Sequence, residues 1–190
     1  QTISYMPYFI SLVVIAGLIK IFTAEDGLVT AILVNFGFAR KDLLADPSLF
    51  RSIYIISDIW QNVGFNSIIY LAALSSIDPQ LYEAAIIDGA GRLRQTWHIT
   101  LPGISSTIII LLILRMGNLF NVGYEKIILL YSPVTYSTAD VISSFTYRKG
   151  LLDADYSYSA AVGLFNSVIN FSLLLVANFF SKKYSETSLF

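Results

Sequence analysis

The sequence contains no cysteine and few charged residues, and both shortages restrict what the chain can be. Without cysteine, disulfide bonds, thiolate nucleophiles and zinc–thiolate sites are excluded. Charged residues make up 13% of the chain, against about 25% in ordinary soluble domains. The net charge of -1 leaves no basic surplus to attract nucleic acid. Hydrophobic residues make up 55% of the chain, which indicates a membrane protein.

Sequence motifs of enzymes are also absent. The chain has no G-x-x-x-x-G-K-[ST] loop to hold nucleotide phosphates, no H-E-x-x-H and no G-x-S-x-G. A polytopic enzyme or an ion channel would need intramembrane acid pairs, a metal-ligand cluster or a filter-like loop. One histidine and one mid-span aspartate do not supply these. We therefore predict no catalytic residue, no metal site and no cofactor bound by this chain.

Four windows are apolar and long enough to cross a membrane. A bilayer core of about 30 Å needs about 20 mostly apolar residues in a helix. The second window is the least apolar, so its polar residues should face protein or water. The pattern predicts an all-α, polytopic bundle of transmembrane helices that forms a single domain over residues 1–190. The windows are about Ile3–Phe22, Ile53–Leu74, Ile104–Val122 and Ala160–Phe180.

The connections between these windows have distinct compositions. The stretch Leu28–Phe38 is apolar but too short to cross, so we predict an interfacial helix. Gly123–Ser159 is rich in tyrosine, which favours either anchoring at the lipid headgroups or a platform for sugar rings. Basic residues are spread almost evenly over the connections, so they do not determine the orientation. The chain opens inside an apolar run without an initiator methionine, and we expect its N-terminal part to be missing.

The connection 78–102, between the second and third windows, reads as a helix, a break and a second helix. Asp78 is a good N-cap, and Pro79 suits the first helical position. Gly89 can take the left-handed conformation that ends a helix, and Pro102 is predicted to end the second helix. Small residues around Gly89 would let another protein approach the backbone. Because this segment, here called the knob, joins two spans, a push on the knob moves them.

A sequence pattern identifies the knob more specifically. Glu83-Ala84-Ala85 is followed by Gly89 after three residues, by Ile99 after nine more, and by Leu101-Pro102. This arrangement resembles the signature loop of bacterial ATP-binding-cassette (ABC) importer permeases, E-A-A-x3-G-x9-I-x-L-P, at all seven defined positions. The flanking sequences resemble carbohydrate-uptake permeases, close to the oligosaccharide and polysaccharide branch. They are Gln1–Ser11, Tyr70–Leu74, Ile77–Pro79, Tyr82–Gly91, His98–Pro102 and Tyr124–Tyr131.

The resemblance implies a fold, partners and an orientation. It implies the permease fold of the maltose-transporter type, with about four of six core spans in this chain. The partners would be a second permease, as a heterodimer, two cytoplasmic ATPases that hold ATP and Mg, and an extracellular solute-binding protein. The knob would be cytoplasmic and the connections Thr23–Ser52 and Gly123–Ser159 external, in a multi-pass protein of the bacterial cytoplasmic membrane. The same fold importing amino acids or peptides is the alternative cargo class.

The resemblance also assigns candidate residues for coupling to the ATPase. Glu83 would contact the ATPase or, in the alternative, cap and solubilise its own helix. Asp88 would bond the backbone N–H groups around Gly89. His98 is expected to be a packed contact and not a catalyst. The coupling candidates are Tyr82, Glu83, Ala84, Ala85, Asp88, Gly89, Ala90, Gly91, Ile99, Leu101 and Pro102.

Polar residues within the spans are candidates for the translocation path. An arginine within a span costs about 2.5 to 3.5 kcal/mol to insert, so Arg115 must face the interior, with Asp58 as one candidate counter-ion. The pair would line the path or would only join two helices. The asparagines would bond sugar hydroxyls, with Trp60 stacking on a sugar face, or would only bond neighbouring helices. The path candidates are Asp58, Trp60, Asn62, Arg115, Asn118, Asn121, Asn166 and Asn170.

Overall fold

The computed structural model describes residues 2–185, with side chains described up to residue 183. Those residues form helices joined by short segments, and no β-strand occurs among them, as the sequence predicts. Eleven α-helices are described, with shorter 3₁₀ and π turns between some of them. The helices are α1 Thr2–Tyr5, α2 Leu12–Thr23, α3 Leu28–Asn35, α4 Pro47–Ser75, α5 Pro79–Ile87, α6 Arg92–Gln95, α7 Leu101–Met116, α8 Tyr124–Leu130, α9 Tyr136–Ala139, α10 Ile142–Tyr147 and α11 Tyr156–Ser185.

Within the described residues, two helical stretches are long and apolar enough to cross a membrane. They are Arg92–Met116 and Tyr156–Lys183. The second contains the fourth predicted span, whereas the first ends at Met116, six residues before the predicted end of the third span at Val122. The first predicted span is not one straight helix, because Thr2–Phe9 and Leu12–Asn35 meet at a bend of 105°. The reason is Ser11, whose side chain caps α2 by accepting a hydrogen bond from the Val14 N–H at 3.4 Å. The expectation of one uninterrupted first span was therefore wrong.

Helix α4 contains the second predicted span. It is 29 residues long, about 43 Å at 1.5 Å per residue. Because of its polar side chains, it is not one of the two stretches that are apolar enough to cross a membrane by composition. The helix starts where Asp46 accepts a hydrogen bond from the Ser48 N–H at 2.9 Å, next to Pro47 in the first turn. Lys41 pairs with the same Asp46 carboxylate.

The described residues divide into two compact units, 2–65 with 120–164 and 66–119 with 165–185. The first unit has the clearer core, built on one face of α2 at helical spacing. Thr30 on α3 donates its hydroxyl to the Thr23 carbonyl at 3.2 Å and so joins α3 to the end of α2. The core residues are Ile15, Ala16, Ile19, Leu44, Phe50, Leu130 and Ala139.

The second unit is built from the end of α4, the knob, α7 and most of α11. Ile104 and Ile113 are its buried apolar residues on α7. Gly117 lies where an added Cβ would be 2.7 Å from the Leu174 side chain on α11. Large apolar side chains elsewhere on the spans stay exposed, as expected for helices that are covered by lipid or by another subunit.

A candidate coupling surface and a candidate translocation path

The first helix of the knob begins as the sequence predicts. Asp78 has an extended backbone and accepts a hydrogen bond from the Gln80 N–H at 2.9 Å, and Pro79 follows in the first turn. This cap fixes where the connection leaves α4 and where α5 starts. The prediction for Asp78 and Pro79 is confirmed.

The break between the two helices depends on Gly89. Its φ is +73°, in the left-handed region that glycine adopts without strain. The Ala90 N–H then donates to the Ala85 carbonyl at 2.8 Å, and the Gln95 side chain donates to the Ala90 carbonyl at 2.8 Å. Gln95 therefore closes the turn, and the closing role expected of Asp88 is wrong. Asp88 only caps α5 through its own N–H.

The second helix of the knob does not end at Pro102. Helix α6, a π turn at Thr96–Thr100 and α7 form one continuous stretch, Arg92–Met116. A proline in a helix clashes with the carbonyl four residues earlier, and a π turn gives that carbonyl room to move. Pro102 falls in the first turn after the π turn and is tolerated there. The knob is therefore continuous with a membrane span.

Two contacts fasten α5 to this continuous helix. The Tyr82 hydroxyl and the Thr100 hydroxyl lie 2.9 Å apart. An added Cβ on Gly103 would be 2.9 Å from the side chain of Ile77, which lies just before α5. The start of α7 and the segment that leads into α5 are therefore in close contact. Tyr82 is half-buried by this arrangement, so it positions the knob from within.

The outer surface of the knob combines small and large apolar side chains. Glu83 and Ala84 are exposed and Ala85 is half-buried. Within residues 2–183 the Glu83 carboxylate has no hydrogen-bond or ion-pair partner. Large exposed apolar side chains lie beside them and were not predicted, although the adjacent isoleucines between two spans are a signal for such a surface. These are Ile86, Ile87, Leu93 and Trp97, of which Ile87 is 86% exposed.

The remaining knob candidates lie on its inner side or at its edge. Ile99 and Leu101 are half-buried, whereas Pro102 is exposed. His98 was expected to be packed, but it is exposed, and its Nδ1 atom lies 3.0 Å from the Arg94 carbonyl one turn earlier. The local hydrogen bond explains its orientation.

A polar face on α4 brings two path candidates together in the first unit. Asn62 donates to the Asp58 carboxylate at 3.1 Å, one helical turn apart. The cation that contacts Asp58 is Lys126 on α8, 3.6 Å from the carboxylate and only 3% exposed. Gln61 lies 3.5 Å from the same ammonium, and the Tyr54 ring centroid lies 5.3 Å away. Sequence reasoning missed Lys126 because the pairing joins segments 68 residues apart.

The other path candidates are distributed over both units. Trp60 on α4 is 48% exposed and does not belong to the polar face. In the second unit, Arg115 and Asn118 are exposed near the end of α7, and the Asn118 amide donates to the Leu114 carbonyl at 3.3 Å. Asn121 is exposed in the segment that follows. Asn166 and Asn170 lie one helical turn apart on α11, and Asn170 is buried.

The tyrosine-rich connection is organised around Arg148. The guanidinium donates to the Asp140 carboxylate at 2.9 Å and lies 4.6 Å from the Tyr136 ring centroid and 5.8 Å from that of Tyr131. The hydrogen bond to Asp140 raises the pKa of Arg148 further above its ordinary value. Burial raises the pKa of Asp140, but hydrogen bonds from Arg148 and Ser144 outweigh burial and lower it. Two of the tyrosines, Tyr131 and Tyr136, therefore make cation–π contacts with Arg148.

The sequence and this geometry are matched by known proteins. A family model described as the binding-protein-dependent transport system inner membrane component matches residues 1–186. The chain belongs to this family. Its members are transport components of membranes, so a membrane location follows from the family and from the apolar helices. Among residues 2–183, no group of three histidine or acidic side chains could hold a metal ion.

Individual relatives in this family are similar over the whole chain. The polygalacturonan/rhamnogalacturonan transport system permease protein YteP of Bacillus subtilis (strain 168) is 41% identical, over 100% of this chain and 60% of its own length. A crystal structure of a bacterial ABC transporter that imports the acidic polysaccharide alginate matches with a TM-score of 0.94. It is 48% identical and covers 97% of this chain and 65% of that chain. The same transporter type, in complex with an alginate pentasaccharide-bound periplasmic protein, matches with a TM-score of 0.94 and 47% identity, over 100% and 66% of the two chains.

Proposed function

We propose that the chain belongs to a permease subunit of an ABC importer and forms part of the path for an oligosaccharide or a polysaccharide fragment. Hydrolysis of ATP takes place on a separate subunit that presses on the knob. One observation carries this proposal: the knob has an exposed apolar surface and is continuous with a membrane span. The similarity to permeases for pectic and alginate saccharides supports the cargo class.

The proposed coupling is mechanical. Movement of the exposed surface of α5 passes to α6–α7 through the Tyr82–Thr100 contact and the Ile77–Gly103 contact. Since Arg92–Met116 is one helical stretch, the movement continues into the membrane without a flexible joint. Docking depends mainly on apolar packing, because an exposed ion pair at Glu83 is worth about 0 to 1 kcal/mol.

The proposed assembly contains subunits that this chain does not include. They are a second permease in a heterodimer, two cytoplasmic ATPases that hold ATP and Mg, and an extracellular solute-binding protein. The complex of the alginate transporter with its periplasmic protein supports the last of these. The knob lies in the cytoplasm, and the protein spans the bacterial cytoplasmic membrane several times. The coupling and path candidates keep their proposed roles within this assembly.

Paired glycines offer a sharp test of coupling. Gly89 and Gly37 both have positive φ, +73° and +91°, and neither has an atom within 4 Å of an added Cβ. Gly89→Val in the complete transporter should lower saccharide uptake at least about tenfold while ATP hydrolysis continues, because the side chain blocks docking and strains the turn. Gly89→Asn separates blocked docking from backbone strain, since asparagine adds a side chain but tolerates the left-handed conformation.

Uptake and ATP hydrolysis are measured together in proteoliposomes that contain all subunits and the binding protein. Gly37→Val and Gly37→Asn introduce the same strain and bulk outside the knob, and we expect both to keep uptake coupled to hydrolysis. Equal uptake by Gly89→Val and Gly37→Val would refute the proposed coupling.

A further inference from the structure

Arg115 is a cation inside one of the apolar helical stretches. Four carboxylates of this chain neutralise lysines and an arginine in the first unit, through Lys41–Asp46, Lys126–Asp58, Arg148–Asp140 and Lys149–Asp153. Arg115, in the second unit, contacts no carboxylate within residues 2–183, and its side chain is exposed. An arginine within an apolar span is costly unless an anion or water meets it. Since no carboxylate among the described residues meets Arg115, an anion that does so comes from elsewhere.

Arg115 lies near the point where the regular helix α7 ends. It is the fifteenth residue of α7, about 21 Å along the axis from Leu101 at 1.5 Å per residue. Helix α7 ends one residue later, at Met116, and residues 117–123 are not regular helix. Backbone that leaves a helix at membrane depth is tolerated where protein or water surrounds it. Asn118 is exposed three residues further along the chain, and its amide donates to the Leu114 carbonyl at 3.3 Å.

We propose that Arg115 binds the carboxylate of an acidic saccharide and so makes the importer selective for uronate-containing oligosaccharides. This inference rests on the proposed function and specifies its substrate class. A guanidinium binds a carboxylate through two parallel hydrogen bonds, which a neutral sugar cannot reproduce. A carboxylate of the second permease is the other source of an anion for Arg115.

A matched pair of saccharides tests the proposal in the complete transporter with its binding protein. The probes are tri-galacturonate and the same trisaccharide with all its carboxyl groups methyl-esterified, which removes the charge and keeps the backbone. The wild type should import the acid form. Arg115→Gln should lower uptake of the acid form at least about tenfold, since a hydrogen bond to a charged group is worth about a factor of ten or more. Uptake of the ester should change less than about threefold. Arg115→Lys should restore part of the acid uptake.

Different outcomes separate the sources of the carboxylate. If Arg115→Gln dissociates the two permeases on size-exclusion chromatography, the anion belongs to the partner subunit and the proposal fails. An equal loss of uptake for both probes, or no loss for either, also overturns it, as does import of the ester alone by the wild type. If the wild type imports neither probe and no other saccharide stimulates its ATPase, the proposed function fails as well. Import of neutral saccharides alone refutes only the role of Arg115.

Discussion

The knob and the tyrosine-rich connection both join membrane helices through short helical pieces, yet they are stabilised differently. In the connection after α8, Thr135 and Ser144 are fully buried, and Arg148 is held by Asp140 and aromatic rings. In the knob, α5 and α6 contain no buried residue, and Ile87 is 86% exposed. The tyrosine-rich connection is stabilised by contacts among its own side chains. The knob keeps its apolar surface exposed, as expected of a surface that a partner subunit covers.

The largest expected effect comes from exchanging one isoleucine in each kind of region. Ile127 on α8 is 2% exposed, and Ile127→Ala should lower the free energy of unfolding by about 3 kcal/mol because it leaves a cavity. Ile87→Ala in the knob should change it by less than about 0.5 kcal/mol but should weaken retention of the ATPase. Thermal unfolding in detergent and co-purification measure the two effects. Equal destabilisation by both variants would remove the contrast between the regions.

Helix packing in the first unit gives the next effect. An added Cβ on Gly64 of α4 would lie 1.9 Å from the Ser4 carbonyl oxygen, and backbone cannot move aside as a side chain can. Gly64→Ala should therefore destabilise the protein by about 2 kcal/mol. Gly17→Ala on α2 is the control, because nothing lies within 4 Å of its added Cβ. A melting temperature unchanged by Gly64→Ala would show that α1 does not pack there.

The ion pair between α4 and α8 should respond asymmetrically. Lys126 is 3% exposed, whereas the Asp58 side chain is 40% exposed. Asp58→Asn should cost about 1 to 2 kcal/mol because it leaves a buried ammonium without its counter-ion. Lys126→Met should cost less, since water still solvates the carboxylate. The double variant should be no less stable than Asp58→Asn, and chemical unfolding of all three tests this order.

The smallest effect concerns pH at the start of α4. Hydrogen bonds from Lys41 and Ser48 lower the pKa of Asp46 to about 2 from its ordinary value of 3.8. A lowered pKa means that the ionised group stabilises the fold fully above the ordinary value and progressively less as the pH falls towards 2. The difference in melting temperature between the wild type and Asp46→Asn should thus shrink between pH 4 and pH 2. A constant difference would contradict the role of the carboxylate.

Local rules predicted the features that depend on neighbouring residues. The Asp78 cap depends on the carboxylate of that residue and the N–H two residues later, and the left-handed Gly89 depends on the lack of a Cβ. A helix forms over Leu28–Asn35, within the stretch Leu28–Phe38 for which local hydrophobicity predicted one, and its interfacial position stays a prediction. Prediction was weaker where one local rule competes with another. Pro102 signalled a helix end, but the π turn before it absorbs the clash.

Features that depend on distant contacts could not be read from the sequence. Lys126 meets Asp58 across 68 positions, and Arg148 gathers side chains from Tyr131 to Phe145, so neither pairing has a local signal. The coupling candidates were predictable as a group from their spacing. The sequence did not show which of them lie on the outer surface of the knob and which lie on its inner side. That division follows from the contact between Tyr82 and Thr100 in the folded structure.

One cross-linking measurement tests the central claim that the knob is the surface on which the ATPase acts. Because these 190 residues contain no cysteine, Ile87→Cys places the only thiol among them on the exposed tip of α5. Ile56→Cys, on a residue of α4 that is 68% exposed, is the control. In the complete transporter, a thiol-reactive photo-cross-linker on Ile87→Cys should join the chain to the ATPase, in an amount that changes with bound nucleotide, whereas Ile56→Cys should not. Cross-linking to the ATPase from Ile56→Cys but not from Ile87→Cys would contradict the account.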